Sequence, residues 1–371
     1  MKYLAVLGRQ PEISIAELEA TDFCTEIERL GGTQKLAAKI EGGLLEYLQS
    51  LPEGKLTIGV SDYSEKASRK TATMEALKLK KILVRHGRSV RVVENKDAVL
   101  STATSLHNGL SGKNERKVEL VKTDDGWYRV IGVQDIDAYA RRDQARPARD
   151  AFVGMLPPKL AQILINLCGM LEPGATILDP FCGTGVVLQE AILMGYRAYG
   201  TDISERMVGY AERNLNWIFS SPPRSRPSLR GSLVEAPRWS QCSEKNQFQV
   251  SLGDATSFTW SQPIDAVACE GYLGKPMSQV PSEMKLKEQK QECGVIILGF
   301  LKNLAGQVKP GTPVVIAMPA WLRENGQYSR LEILDEIEEL GYNVNNKSRE
   351  GLLCHREGQI VARDIIILRK K

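Results

Sequence analysis

Residues 175–202 read ATILDPFCGTGVVLQEAILMGYRAYGTD, and this stretch decides the fold. An apolar run over 175–178 ends in Asp179, and a loop with two glycines follows it. Residues 186–193 then place apolar side chains at helical spacing, and a second short run ends in Asp202. Strand, glycine-rich turn, helix, strand and acid predict the first half of a nucleotide-binding βαβ unit, in which glycine lets the backbone approach a ligand closely.

The loop DPFCGTG itself narrows the class of ligand. It lacks the third glycine of the dinucleotide loop, and no Lys-Ser/Thr follows it as in a phosphate-binding loop. A nucleoside without phosphate fits better, and S-adenosylmethionine is such a ligand. Two glycines alone would favour a plain packing turn, whereas acids at both strand ends favour a cofactor site. The string resembles the cofactor loop of class I S-adenosylmethionine-dependent methyltransferases, especially those that act on exocyclic amines of nucleic-acid bases.

Composition sets broad limits. The chain has 371 residues, 42% of them hydrophobic and 25% charged, as expected for a globular protein of two or three domains. No apolar run approaches the ~20 residues that span a bilayer, and the N-terminus reaches Arg, Gln and Pro too soon for a secretory leader. The seven cysteines form no C-x-x-C pair and there are only three histidines, so we expect no metal site and a reducing, cytoplasmic location. The net charge of +4 is compatible with a polyanionic partner.

The chain divides into three predicted regions. Residues 1–133 read as an α+β region, and residues 134–158 as a charged connector that ends in two prolines. From 159 to 371 strands and helices alternate, which predicts a parallel sheet with helices on both faces. The last two strands have only a turn-rich segment between them, so we expect them to pair antiparallel. A Rossmann-like sheet of seven strands with one reversed is the class I methyltransferase arrangement.

Two local features complete this outline. Ser14 is the expected N-cap of a helix over residues 15–20, with Glu17 three residues further on. Residues 219–247 are rich in Pro, Ser and Arg and read as a flexible insertion.

Four acids follow successive predicted strands. Asp179 should flank the amino-acid part of the cofactor, Asp202 the ribose and Asp254 the adenine amine, while Glu270 follows the next strand. A single acid at a strand end is more often a helix cap, but the ordered set favours a binding site. The predicted cofactor-binding residues are Asp179, Phe181, Cys182, Gly183, Thr184, Gly185, Asp202, Ile203, Asp254 and Ala255.

Glu270 and Tyr272 are the candidate catalytic residues. Methyl transfer to an exocyclic amine needs acceptors that hold the amine hydrogens and aim the nitrogen at the methyl group. Amine-modifying relatives carry Asp/Asn-Pro-Pro-Tyr/Phe at this position, whereas residues 269–274 read CEGYLG. A carboxylate and an aromatic ring are kept and the prolines are not. Glu270 then takes the acid's role and Tyr272 stacks on the base; the alternative is a site that has lost activity or changed its acceptor.

Together these segments identify a resemblance to the tRNA guanine-10 N2-methyltransferase family, which joins a THUMP RNA-binding region to a class I methyltransferase domain. YLAVLGRQPEISIAELEA resembles the family's opening segment, RRDQARPARDAFVGMLPPKLAQILINL its connector and HREGQIVARDIIIL its C-terminal hairpin. The resemblance implies tRNA as the partner, with a single-stranded or flipped-out guanosine as the acceptor. It departs at residues 269–274, so cofactor binding carries over more safely than the acceptor atom.

Basic residues cluster at 69–91 against one acid, Glu75, which is a plausible phosphate track or merely a solvated helix face. The resemblance to the tRNA methyltransferase family favours an RNA-binding role for these basic residues. Arg142 and Arg146 in the connector are further candidates, or else pair with nearby aspartates. The predicted RNA-binding residues are Arg69, Lys70, Lys80, Lys81, Arg85, Arg88, Arg142 and Arg146.

The sequence therefore predicts an S-adenosylmethionine-dependent enzyme that methylates the exocyclic N2 of a guanosine in tRNA. The alternatives are a DNA adenine or cytosine amino-methyltransferase and a catalytically inactive RNA-binding paralogue. We expect no membrane partner and a chain that works as a monomer. The modified position, one or two methyl groups, and a small activating subunit stay open.

Overall fold

The protein is described here by a computed structural model that covers residues 2–150, 155–220, 247–346 and 352–371. The predicted insertion at 219–247 lies outside the described residues, except at its ends. Contacts between Cα atoms divide the chain into two units. Unit 1 comprises Met1–Arg9, Cys24–Glu28 and Thr33–Asp137, and unit 2 comprises Gln10–Phe23, Arg29–Gly32 and Ala138–Lys371.

Unit 1 is built on one mixed sheet with the strand order β1-β2-β6-β5-β3-β4. Strands β3, β4 and β5 run parallel to one another, and the remaining pairs are antiparallel. The elements are β1 (Tyr3–Leu7), β2 (Thr33–Lys39), α2 (Leu44–Ser50), β3 (Leu56–Asp62), α3 (Arg69–Arg85), β4 (Val90–Val92), α4 (Thr102–His107), β5 (Lys117–Thr123) and β6 (Gly126–Val133). The predicted α+β character of this region is confirmed.

Helix α3 shows why the local sequence forms this element. The hydroxyl of its N-cap Ser68 accepts a hydrogen bond from the Thr71 amide at 3.1 Å, and the Ser68 amide donates to the Thr71 hydroxyl at 2.9 Å, which satisfies two otherwise unpaired N–H groups. Ala72, Ala76, Leu79 and Leu83 recur at helical spacing and are buried, so one stripe packs on the sheet and the basic face stays exposed.

Helix α1 (Pro11–Ala20) belongs to unit 2 although the N-terminal strand before it belongs to unit 1. The predicted N-cap was wrong: Ser14 lies inside the helix, which begins at a proline whose missing amide hydrogen costs nothing in the first turn. The Ser14 hydroxyl instead donates to the Gly32 carbonyl at 2.9 Å. Glu17 is fully buried and accepts hydrogen bonds from the amides of Gly31 and Gly32 and from Asn166, which ties this helix to the rest of unit 2.

The sheet of unit 2 has the order β13-β15-β11-β10-β7-β8-β9. β15 is antiparallel to both of its neighbours, and the other strands of this path run parallel. The strands are β7 (Thr176–Asp179), β8 (Arg197–Asp202), β9 (Phe248–Leu252), β10 (Ala266–Glu270), β11 (Pro313–Leu322), β13 (Tyr342–Val344) and β15 (Val361–Lys370), with β12 (Tyr328–Arg330) and β14 (Leu353–Cys354) added at the sides. The predicted sheet with one reversed strand is confirmed.

Alternating side chains of these strands supply two cores. Ile177, Ala268 and Val315 face one side, while Leu178, Val267 and Ile316 face the other, as the period of two in a strand requires. Helices α6 (Pro158–Asn166), α7 (Val186–Leu193) and α8 (Glu205–Ser220) cover the first side. Helices α9 (Glu283–Ala305) and α10 (Leu334–Glu339) cover the second, and α5 (Ile136–Gln144) lies at the junction of the two units in the sequence. No helix among the described residues is long and apolar enough to cross a membrane.

Candidate cofactor and acceptor site

The four predicted acids stand at the carboxyl ends of four neighbouring parallel strands. Across the sheet their order is Glu270 on β10, Asp179 on β7, Asp202 on β8 and, two residues beyond β9, Asp254. The chain order of the strands reverses between β10 and β7, which is the point where open α/β sheets bind ligands. The sheet therefore lines up the acids in the order in which an extended nucleoside ligand would meet them.

The glycine loop between β7 and α7 is shaped to receive such a ligand. The amide of Cys182 donates to the Thr201 carbonyl at 2.9 Å, and the amide of Gly185 donates to the Cys182 carbonyl at 2.7 Å, which closes a tight turn. Gly183 has a φ of +49°, a left-handed conformation that favours glycine. A Cβ at this position would have only the Phe181 carbonyl oxygen within 4 Å, at 3.9 Å, so open space lies beside the backbone.

Asp202 links this loop to β8 and keeps capacity for a ligand. Its Oδ2 accepts from the Gly183 amide at 2.9 Å and its Oδ1 from the Ser204 amide at 2.9 Å. Each carboxylate oxygen has a further lone pair, so the side chain is held in place and can still accept two hydroxyl groups. Burial raises the pKa of Asp202.

Asp254 is more exposed than the other three acids. Its Oδ1 accepts from the amide and the hydroxyl of Thr256, at 2.9 and 2.8 Å. This is the turn-capping role of an aspartate, and no described residue donates a hydrogen bond to Oδ2. The second oxygen therefore remains for an amine.

Apolar side chains lie near Asp202 and Asp254, at the ends of β8 and β9. Ile203 is 74% exposed directly after Asp202, and Leu252 is 54% exposed at the end of β9, whereas Ala255 is buried. Large apolar side chains exposed at adjacent strand ends offer a surface for a flat aromatic ring. The sequence prediction included Ile203 and missed Leu252.

Asp179 is the most buried of the acids, with 2% of its surface exposed. Burial raises its pKa well above the usual value, and the nearby negative charges of Asp202 and Glu270 raise it further. The hydrogen bond from the Phe181 amide at 3.1 Å acts in the opposite direction. The negative charges near Asp179 favour a positively charged ligand beside it.

Glu270 has a partner that the sequence analysis did not identify. Its Oε1 accepts a hydrogen bond from Nε of Arg363 on β15, and 19% and 12% of the two side chains are exposed. In the strand register Arg363 lies opposite Pro319, two residues beyond Ala317, which is itself opposite Glu270. Arg363 thus reaches across β11 to the acid. The available signal was a charged pair, Arg363-Asp364, in a strand whose other residues from Val361 to Leu368 are apolar.

Tyr272 is held against helix α9. Its hydroxyl donates to Oε1 of Glu292 at 2.9 Å, and its ring packs against the core on that side of the sheet. Burial raises the pKa of Tyr272 to about 12, and the contact with Glu292 adds to the effect, so the phenol stays protonated at neutral pH. Gly274 follows with a φ of +85°, and a Cβ there would lie 2.5 Å from Oε1 of Gln289. The loop after β10 is therefore fixed to α9 by specific contacts.

Five of the predicted RNA-binding residues lie exposed on α3 of unit 1: Arg69, Lys70, Lys80, Lys81 and Arg85. Arg69 pairs with Glu94 at 3.3 Å. Lys70, Leu77, Lys81 and Val84 share one face of the helix by their spacing, and Leu77 and Val84 are 54% and 52% exposed. This face offers both charge and apolar contact.

The other three predicted RNA-binding residues have structural partners instead. Arg142 is buried and forms a two-pronged contact with Glu190, at 2.7 Å from Nε and 3.1 Å from Nη2. Arg146 is buried and pairs with Asp143 at 3.4 Å, and Arg88 donates to two backbone carbonyls, of Leu51 and Pro52, at 3.1 and 2.7 Å. Arg146 thus pairs with a nearby aspartate, as the alternative predicted, whereas the partner of Arg142 is Glu190, which the sequence analysis did not name. A guanidinium closed off from solvent offers little to a phosphate.

Two family models match the chain. One, described as "RMKL-like, methyltransferase domain", matches residues 146–289, which include the glycine loop and all four acids. The other, described as "DNA methylase", matches residues 65–213 and so runs from unit 1 into the glycine loop and α8. The two overlap over residues 146–213, where the cofactor loop and Asp202 lie.

Curated relatives match over shorter lengths. The tRNA (guanine(10)-N2)-dimethyltransferase of Methanothermobacter thermautotrophicus is 51% identical over 75 residues, 20% of this chain and 22% of that protein. The enzyme of the same name from Methanocaldococcus jannaschii is 29% identical over 157 residues, 42% of this chain and 44% of that protein. The matches thus span less than half the length of these relatives. Among solved structures, TrmN from Thermus thermophilus aligns over 94% of this chain and 86% of that chain, with 17% identity and a TM-score of 0.45.

The residues at the strand ends fit S-adenosyl-L-methionine. The ligand carries a positive charge, which suits the negative charges near Asp179, and a ribose, which suits the free lone pairs of Asp202. The open space beside Gly183 admits a chain where a Cβ would project. Residues 146–289, which match the RMKL-like methyltransferase model, include all of these strand-end residues.

Proposed function

We propose that the protein transfers a methyl group from S-adenosyl-L-methionine to the exocyclic N2 of a guanosine in tRNA. One observation carries the proposal: Glu270, Asp179 and Asp202 end three adjacent parallel strands, with Glu270 next to the strand that starts the cofactor loop. The relatives named as tRNA (guanine(10)-N2)-dimethyltransferases support guanosine as the acceptor.

Residues at the ends of three strands would bind different parts of the cofactor. Asp202 accepts the ribose hydroxyls, Asp254 accepts an amine hydrogen from the adenine, and Asp179 faces the charged amino-acid end. Phe181, Cys182, Thr184 and Gly185 shape the loop around this end. When bound, the cofactor supplies an electrophilic methyl group, and the electron pair of the broken C–S bond stays on sulfur.

Glu270 would then prepare the acceptor nitrogen. Its Oε2 receives no hydrogen bond from any described residue, since Arg363 contacts Oε1. An amine hydrogen donated to Oε2 fixes the direction of the nitrogen lone pair, and the carboxylate takes the proton that the nitrogen loses as the N–C bond forms. Tyr272, fixed by Glu292, supplies a rigid ring for the base to stack on.

Unit 1 would supply the affinity for tRNA. We assign it a THUMP-like role, with Lys70, Lys81 and Arg85 of α3 contacting phosphates and Leu77 and Val84 contacting sugars or bases. The domain division at 1–133, 134–158 and 159–371 and a cytoplasmic location are part of the same proposal.

A DNA amino-methyltransferase is the second candidate, because the "DNA methylase" model matches residues 65–213. Its acceptor would be the exocyclic amine of adenine or cytosine. The same four acids would serve, since cofactor binding and amine presentation do not depend on the kind of nucleic acid.

The deciding experiment measures transfer of a labelled methyl group to unmethylated tRNA and to duplex DNA, followed by nucleoside mass spectrometry. We expect N2-methylguanosine from tRNA and no product from DNA. Methylated adenine or cytosine from DNA would establish the second candidate instead.

Two variants assign the acceptor residue. Glu270→Ala should lose transfer by at least about 100-fold and keep its affinity for the cofactor, as expected for a group that acts on the acceptor. Glu283→Ala is the matched control, because Glu283 also contacts an arginine, Arg323, but on the surface. Full activity in Glu270→Ala would remove Glu270 from the mechanism, and cofactor binding with no transfer to any nucleic acid by the unchanged protein would indicate an inactive paralogue.

A further inference from the structure

Arg363 contacts the site, but the sequence analysis did not predict it and the cofactor does not account for it. It contacts Glu270 through Nε, and 12% of its side chain is exposed. Of the residues that the structure describes, none accepts a hydrogen bond from either Nη atom of Arg363. A guanidinium has five N–H donors in a planar fork, so the pair with Glu270 uses only part of its capacity.

The N–H donors of Arg363 that Glu270 does not use lie on the side of the site where the acceptor base would bind. Glu270 is the acid farthest from Asp254 in the strand order, so Arg363 lies at the end opposite the predicted adenine position. The thiol of Cys354 on β14 is close enough for Arg363 to lower its pKa and for Glu270 to raise it, while burial raises it most. A neutral thiol does not neutralise the guanidinium. Glu270 and Arg363 thus place an acceptor, Oε2, and free donors, the Nη groups, side by side.

We propose that Glu270 and Arg363 together read the base, with Glu270 accepting the N2 amine and Arg363 donating to O6 of guanine. This inference rests on the proposed function and adds the residue that determines specificity. Guanine presents two donors, N1–H and the N2 amine, and one acceptor, O6, along a single edge. A carboxylate beside a guanidinium is complementary to that edge, in the way that enzymes recognise a base removed from its stack.

A positioning role alone would not produce the same behaviour. If Arg363 only oriented Glu270, its loss would slow transfer to any acceptor that carries the N2 amine. If Arg363 donates to O6, its loss removes discrimination at that atom, because discrimination depends on hydrogen-bonding groups that the wrong base leaves unpaired. The two roles separate when the base is changed at O6 and nowhere else.

The test compares tRNA carrying guanosine at the methylated position with tRNA carrying 6-thioguanosine there, which keeps N1–H and the N2 amine and replaces O6 with a weaker acceptor. For the unchanged protein we expect kcat/KM to be about 10-fold higher for guanosine, as for loss of one charge-assisted hydrogen bond. In Arg363→Ala the guanosine value should fall about 10- to 100-fold and the preference should shrink to about 2-fold or less. Arg363→Lys, which keeps the positive charge on a single donor nitrogen, should recover part of both.

Controls keep the outcome decisive. Arg323→Ala removes an arginine from the surface pair with Glu283 and should change neither value. Cofactor affinity, measured by titration, should stay within about 2-fold in Arg363→Ala; if that variant does not fold, Arg363→Lys is compared with the unchanged protein in its place.

Three results overturn the inference. Equal losses on both bases would reduce Arg363 to a positioning residue, and faster transfer in Arg363→Ala would make it a group that blocks the acceptor position. Unchanged values on both bases in Arg363→Ala, with the preference of about 10-fold retained, would place the discrimination elsewhere. If the proposed function itself is wrong, the unchanged protein will transfer no methyl group to guanosine in tRNA. That result differs from the three above, in all of which the unchanged protein is active.

Discussion

The buried pair between Arg142 and Glu190 gives a prediction that separates a structural role from an RNA contact. Arg142 is 6% and Glu190 2% exposed, and two hydrogen bonds of 2.7 and 3.1 Å join them. The guanidinium also lies 4.4 Å from the ring centre of Tyr139. Arg142→Ala leaves the Glu190 carboxylate buried beside a gap. Removal of one partner of a buried pair costs about 3–5 kcal/mol, so we expect that loss in the free energy of unfolding.

The loss should depend on pH in a defined direction. Burial raises the pKa of Glu190, and Arg142 is the largest influence that lowers it. Without Arg142 the pKa rises further, and proton uptake then relieves the buried charge. The destabilisation should therefore be greatest above the folded-state pKa of Glu190 and shrink as the pH falls through it.

Urea unfolding at neutral and acidic pH measures both effects. Arg149→Ala is the matched control, because Arg149 is exposed in the same segment and should change stability by about 0.5 kcal/mol or less. Replacing both partners, as in Arg142→Met with Glu190→Leu, should recover most of the loss, since an apolar pair of similar size carries no desolvation cost. A variant Arg142→Ala with unchanged stability and weakened tRNA binding would refute the structural assignment.

Three further predictions concern the two units. The triple variant Lys70→Ala, Lys81→Ala, Arg85→Ala should bind tRNA more weakly. The magnitude of the slope of log affinity against log salt should fall by about 2, because each lost phosphate contact contributes ~0.7–0.9. An unchanged slope would exclude this face of α3 as a phosphate track. Asp179 has a raised pKa, so binding of a cation should release a proton from it, and cofactor affinity should therefore rise with pH. Titrations in two buffers of different ionisation enthalpy should detect this proton release in the unchanged protein but not in Asp179→Asn. Equal proton release and equal pH dependence in the two proteins would contradict this prediction. Gly183→Ala should cost about 1–2 kcal/mol of stability from the left-handed backbone and reduce cofactor affinity by a larger factor, whereas a stability loss alone would show that the ligand does not approach this backbone.

Local pattern predicted the centre of unit 2. The run 175–178, the glycines of the loop and the apolar spacing of α7 determine β7, the turn and the helix without help from distant residues, because each feature acts within a few positions. The reversed strand was also predictable, since the segment before β15 is too short for a parallel crossover.

Contacts between distant residues were not predictable in the same way. Glu270 and Arg363 are 93 positions apart, and Arg142 and Glu190 are 48 apart, so no local spacing relates them. Charge in a sequence shows which groups ionise but does not show which of them become buried. Ser14 failed as a cap for a related reason: Pro11 starts the helix three residues earlier, and the Ser14 hydroxyl is used by Gly32.

The central claim is that the strand-end carboxylates hold S-adenosyl-L-methionine. Isothermal titration of the unchanged protein, Asp202→Ala and the control Glu212→Ala with that compound tests it most directly. Glu212 is an exposed carboxylate on α8, the helix that follows Asp202, and takes no part in the site. The account predicts one bound cofactor per chain, affinity reduced at least about 100-fold in Asp202→Ala through loss of two charge-assisted hydrogen bonds, and no change in Glu212→Ala. Equal affinity in Asp202→Ala and the unchanged protein would contradict it.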